Sequence, residues 1–141
     1  MGELVDTNAP YLAAQLPPLG IELQRITQAR DDIGMLVEAL QQAFQRSDLV
    51  LTTGGLGPTD DDLTREGIAQ LVGETLYVDP QSLDHLEETF RQRGASMPNA
   101  NVKQANLIPS ARSVLNSVGT APGWWMEKDG KIIVAMPGPP G

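Results

Sequence analysis

The sequence predicts an α/β fold with a mainly parallel sheet, on three observations. Helix-spaced and strand-like apolar segments alternate along the 141 residues. Leu49-Val50-Leu51 and the run from Lys131 to Met136 carry the continuous apolar character of strands covered on both faces. Each of these runs discharges at its carboxyl end into a loop rich in glycine and proline, the edge where open parallel sheets bind ligands.

From the N-terminus, Leu12, Leu16 and Leu19 suit a short helix after Asn8, with Pro10 in its first turn and Pro17-Pro18 closing it. Ile21 to Thr27 reads as a strand. Asp31 and Asp32 can cap a helix whose stripe, Ile33, Leu36, Val37, Leu40 and Phe44, recurs at helical spacing. After the Leu49–Leu51 strand, Leu63 to Val72 forms a helix with Gly73 as its left-handed cap. Asp79-Pro80 opens another, reaching Arg93 and stopped by Gly94. The polar stretch Ala95 to Ser117 reads as loop with one short helix near Val102 to Ala105. Trp124-Trp125-Met126 and the Lys131–Met136 run flank Asp129-Gly130, a strong hairpin signal because both positions accept positive φ. No internal repeat divides the chain, which is expected to form one domain over residues 1–141.

Composition narrows the class of function. An apolar content of 40% supports a buried core. Having no cysteine, the chain has no disulfide scaffold, thiolate metal site or cysteine nucleophile. Its charge of −8, with basic residues scattered singly, disfavours nucleic acid as a partner. No apolar run reaches membrane-span length, so no membrane association and a cytoplasmic location are expected.

The chemistry centres on Gly54-Gly55-Leu56-Gly57-Pro58-Thr59-Asp60-Asp61-Asp62. Three glycines where the backbone leaves a strand permit a tight turn whose N–H groups can face an anion, and the following helix adds its dipole. Neither the phosphate-binding lysine loop nor the dinucleotide glycine pattern matches. The aspartates, with Glu66 one turn beyond Asp62, oppose a bare phosphate and make sense if a divalent, magnesium-like cation intervenes; acidic capping of the helix explains the same residues equally well. Gly119-Thr120-Ala121-Pro122-Gly123 offers a second backbone-lined turn, followed by Trp124 and Trp125, which either pack in a core or stack on a ligand ring. His85 stands alone among acidic residues and reads as a solvated surface histidine.

Four segments, Gly2 to Asn8, Gly54 to Thr64, Gly119 to Gly123 and Pro137 to Pro140, resemble in order the N-terminal domain of the competence/damage-inducible CinA proteins. That resemblance implies the molybdopterin-binding MoaB/Mog fold, a three-layer αβα sandwich, across essentially the whole chain. It implies metal-dependent hydrolysis of ADP-ribose or a related pyrophosphate, or alternatively pterin and nucleotide binding with adenylyl transfer in molybdenum cofactor assembly. By the same resemblance Asp61 and Asp62 are the catalytic and metal-binding candidates. Gly54, Gly55, Gly57, Pro58, Thr59 and Thr64 line the phosphate site, and Asp6, Asn8, Gly119, Thr120, Gly123, Pro137, Gly138 and Pro139 border it. Relatives carry a further buried strand ahead of the segment matching Gly2-Glu3, and longer members add an amidohydrolase domain. The expectation is a domain lacking both, for which an inactive interaction surface is a third reading. Relatives also form oligomers, so self-association is expected.

Overall fold

The computed structural model describes residues Asp6 to Gly138. Helix α1 spans Asn8–Gln15 and passes through a 3-10 turn at Pro17–Leu19. Helix α2 spans Ile33–Arg46, its N-terminus capped by Asp32, whose carboxylate accepts from Met35 N at 2.9 Å. Strand β1 is Leu49–Thr53, α3 Thr64–Val72, β2 Tyr77–Val78 and α4 Pro80–Gln92. A 3-10 helix, η, covers Asn99–Ala105 and leads into β3 Asn106–Leu107, β4 Ala111–Val114, β5 Gly123–Lys128 and β6 Lys131–Met136.

The main sheet has the order β1-β6-β5-β4, and β2 pairs with β3 in a separate antiparallel ribbon. Strand β1 runs parallel to β6, with Leu49 opposite Ile132 and Thr53 opposite Met136. Strands β5 and β4 continue the sheet antiparallel. The α/β class holds, while the mainly parallel character is confined to the β1–β6 pair: the Asp129-Gly130 turn, both residues at positive φ, reverses the chain directly into β6.

Alternation sorts the sheet residues by face. Trp124, Met126, Ile133 and Ala135 are almost fully buried and share one core with Val50, with Leu40 of α2 and with Ile68 and Ala69 of α3. Trp125 points the other way, under the Arg112 guanidinium at 5.1 Å from the ring centroid. Packing, not ligand stacking, is therefore the role of Trp124. Gly67 lets α2 and α3 approach: a Cβ there would stand 2.9 Å from a Leu36 methyl.

Two expectations are corrected. Ile21 to Thr27 forms no strand and pairs with no described strand; Ile21 N donates to Leu16 O at 3.2 Å, and Leu23 and Ile26 stay exposed. A cavity of about 720 Å³ separates this segment from β1, lined on one side by residues 20–27 and on the other by Leu49 to Thr53. Apolar pattern alone does not make a strand where no neighbouring backbone is within reach. In the Ala95–Ser117 stretch the short helix expected near Val102 to Ala105 is present as part of η, but the segments expected as loop also hold the start of η, β3 and β4.

Candidate functional site

Strand β1 ends at Thr53, and Gly54 and Gly55 both take positive φ, of 85° and 72°, to turn the chain away from the sheet. Gly54 N donates to Met136 O at 2.9 Å, and a Cβ on Gly138 would lie 3.4 Å from Gly54 Cα. The loops leaving β1 and β6 are thus in contact, as their shared sheet edge requires. Pro137 and Gly138 lie on that edge; Pro139 lies outside the described residues.

Asp62 organises the loop. Its Oδ2 accepts from Thr59 N at 2.9 Å and from Thr59 Oγ1 at 2.7 Å. Gly57 leaves room for this carboxylate, since a Cβ there would stand 2.5 Å from the same oxygen. Burial pushes the Asp62 carboxyl upward, but the Thr59 hydroxyl, the Thr59 and Gly57 backbone N–H groups and the Lys103 charge together hold it below the usual carboxylate value. Thr64, which opens α3, donates its hydroxyl to Gly54 O at 2.9 Å and its N–H to Gly55 O at 3.1 Å. Helix α3 has no side-chain cap of its own.

Two cations that sequence reasoning missed hold the loop from the protein side. Arg65 is fully buried and donates to Leu56 O and, at 3.3 Å, to Gly57 O. Burial lowers its guanidinium to about 10, opposed by the Glu66 and Asp62 carboxylates, so it remains charged at neutral pH. Lys103, from η, donates to Thr59 O at 2.7 Å and Asp62 O at 2.9 Å and lies 3.6 Å from Glu66 Oε1. With these carbonyls turned inward, the N–H groups of Gly55, Leu56, Asp60, Asp61 and Leu63 have no hydrogen-bond acceptor among the described residues. Pro58 caps nothing and stiffens the turn between the two clamped halves.

Asp60 and Asp61 are exposed, and Asp61 lines one end of the 720 Å³ cavity with Gly54, Gly55 and Thr64. No group of three or more His, Cys, Asp or Glu side chains converges as a metal site among the described residues. Asp6 uses its carboxylate to accept from Asn8 N at 3.0 Å and Ala9 N at 3.2 Å, capping α1; Ala9, not Asn8, reaches the cavity. The second turn is tied to the first through η, because Gln104, next to Lys103, donates to Thr120 Oγ1 at 3.3 Å. Gly119 borders Asn116, and Gly123 opens with Pro137 onto a separate recess of about 220 Å³. His85 is exposed on α4, as expected.

A strand-to-helix turn whose N–H groups lack acceptors among the described residues, flanked by carboxylates at the C-terminal edge of a sheet, sits where α/β domains commonly place a ligand site. The chain belongs to the family described as probable molybdopterin binding domain, whose model matches residues 1–141. It is similar to CinA-like proteins of Thermomicrobium roseum, 50% identical over 139 residues, and Deinococcus radiodurans, 52% identical over 143 residues; each comparison covers 99% of this chain. The chain spans about a third of the length of these curated relatives, 34% and 35%. The solved structure of CinA from Thermoplasma acidophilum, described as of unknown function, superposes with a TM-score of 0.89 at 35% identity, covering 96% of this chain and 80% of that one. A MogA structure shares the fold, at a TM-score of 0.57 and 22% identity, with 100% of this chain and 80% of that chain covered. No helix among the described residues is long and apolar enough to cross a membrane.

Proposed function

We propose that the chain binds a nucleotide or pterin phosphate on the Gly54–Leu63 loop and hydrolyses a nucleotide diphosphate such as ADP-ribose there, assisted by a divalent cation. The observation that carries this reading is the coexistence, in one turn, of free backbone N–H groups and two carboxylates not neutralised by an ion pair. Donors of that kind favour phosphate oxygens, while the carboxylates repel them unless a cation bridges the two.

The donor set fits such a cation when the ligand completes it. Asp62 Oδ2 accepts both Thr59 donors and Oδ1 accepts neither, and Asp61 makes no hydrogen bond among the described residues. Two carboxylates plus phosphate oxygens and water match the usual magnesium coordination. When bound, a cation of this kind supplies charge neutralisation at the phosphoryl group and lowers the cost of activating water. The protein's own share is positional: backbone N–H groups orient the phosphates, and the turn at Gly54-Gly55 brings them against the carboxylates.

The family description favours a second reading, in which the same loop holds a pterin phosphate without hydrolysing it. Release of AMP from ADP-ribose by the purified chain, with and without magnesium or manganese, separates the two. Asp61→Asn is the informative variant, because Asp61 is exposed and makes no hydrogen bond or ion pair among the described residues, so its replacement should leave thermal stability unchanged. The expected result is metal-dependent AMP release falling by about tenfold or more in Asp61→Asn, a loss of about 1.4 kcal/mol of transition-state stabilisation. Turnover that is equal in both proteins, or absent from a folded wild-type chain with every metal, would reject the hydrolytic reading.

A further inference from the structure

We propose that Lys103 is a positioning residue of the phosphate site, which sets the direction of the loop's N–H donors by holding the carbonyls of Thr59 and Asp62. The inference rests on the reading that a phosphate occupies this loop, and it concerns a side chain 41 or more residues away in sequence from the groups it holds.

The ammonium of Lys103 donates to Thr59 O at 2.7 Å and Asp62 O at 2.9 Å, while Glu66 Oε1, 3.6 Å away, forms an ion pair with it beyond hydrogen-bond distance. Two of its three donors are thus spent on carbonyls of the loop and its charge is partly offset by Glu66. The effect passes through the peptide plane. In a trans peptide the carbonyl and the following N–H point in opposite directions, so a cation fixed on the carbonyl of Thr59 aims the Asp60 N–H away from it, and one fixed on Asp62 does the same for the Leu63 N–H. Neither N–H has an acceptor among the described residues. Arg65 holds the carbonyls of Leu56 and Gly57, but Pro58 after Gly57 has no N–H to aim, and Arg65 is fully buried, so its replacement would test core stability instead. Lys103 is partly exposed, with 21% of its side-chain surface accessible, so it can be changed without opening the core. Its neighbour Gln104 holds Thr120, and the short helix η thereby fixes both glycine turns from one support.

The chain's lack of cysteine allows a clean chemical test. Lys103→Cys can be alkylated with 2-bromoethylamine, which rebuilds a lysine-like ammonium, or with 1-bromopropane, which gives a neutral side chain of similar length. Two quantities are read: the backbone amide resonances of Asp60 and Leu63 without ligand, and calorimetric affinity for AMP with magnesium. The expected result is displacement of both resonances in Lys103→Cys and about tenfold weaker AMP binding, with aminoethylation but not propylation restoring both. Lys103→Arg, which keeps the charge, is expected to bind AMP within about threefold of wild type and keeps the test available if the cysteine protein does not fold. Equal affinity in wild-type and propylated proteins, or restoration by propylation, overturns the positioning role while leaving the phosphate reading in place. A wild-type chain that does not bind AMP overturns the phosphate reading, and this proposal with it.

Discussion

Asp62 illustrates how one side chain can serve structure and chemistry through different atoms. One carboxylate oxygen, Oδ2, closes the Thr59 turn, and Oδ1 accepts neither Thr59 donor. The capping and ligand roles left open by the sequence are therefore compatible, although the aspartate caps its own loop and not α3. Its titration has a definite consequence. A carboxyl whose folded pKa is depressed contributes stability above its unfolded value, near 3.8 for aspartate, and that contribution disappears as pH falls through the lower folded value. Asp62→Asn is expected to be less stable than wild type at neutral pH and to lose less additional stability on acidification below about pH 4. Chemical denaturation at a series of pH values checks this, and parallel curves would contradict it.

At the scale of elements, the short signals in the sequence were those with a local cause. Asp79 accepts from Ser82 N at 2.9 Å and from Ser82 Oγ at 2.6 Å, and Pro80 follows it in the first turn, so the start of α4 was legible from three residues. Asp79→Ala is expected to cost about 1 kcal/mol in urea unfolding, with an unchanged dependence on denaturant. The hairpin and Gly73 were legible for the same reason: their backbone angles demand particular residues. Strand β4 was not, and η was legible only over its second half, near Val102 to Ala105. A 3-10 helix has no 3.6-residue stripe, and Ala111-Arg112-Ser113-Val114 becomes a strand through pairing with β5, a partner that local pattern does not identify. The failure at Ile21 to Thr27 is the converse, a strand-like pattern without a paired neighbour among the described residues. Within the site, the glycines and the aspartates are singled out by their spacing, and Thr59 by the family resemblance. Lys103 could not, because its partners are distant in sequence, and Arg65 was obscured by the rule that charges seldom enter a core.

For the whole molecule, the difficulty is electrostatic. A chain of net charge −8 is expected to attract cations and repel a nucleotide, yet backbone donors without an acceptor among the described residues lie beside its densest run of aspartates. Arg65 and Lys103 reduce the conflict locally, and a divalent cation arriving with the ligand would remove most of it. Affinity for a nucleotide should accordingly depend on magnesium more strongly than on monovalent salt, since screening weakens exposed repulsion without bridging the two anions. The most direct measurement is amide-resonance mapping of the full chain titrated with ADP-ribose, with and without magnesium. The expected result is magnesium-dependent shifts concentrated on Gly54 to Thr64, with smaller ones at Lys103, Thr120 and Gly138. Shifts confined to other surfaces, or none at millimolar ligand, would contradict the assignment of this loop as a phosphate site.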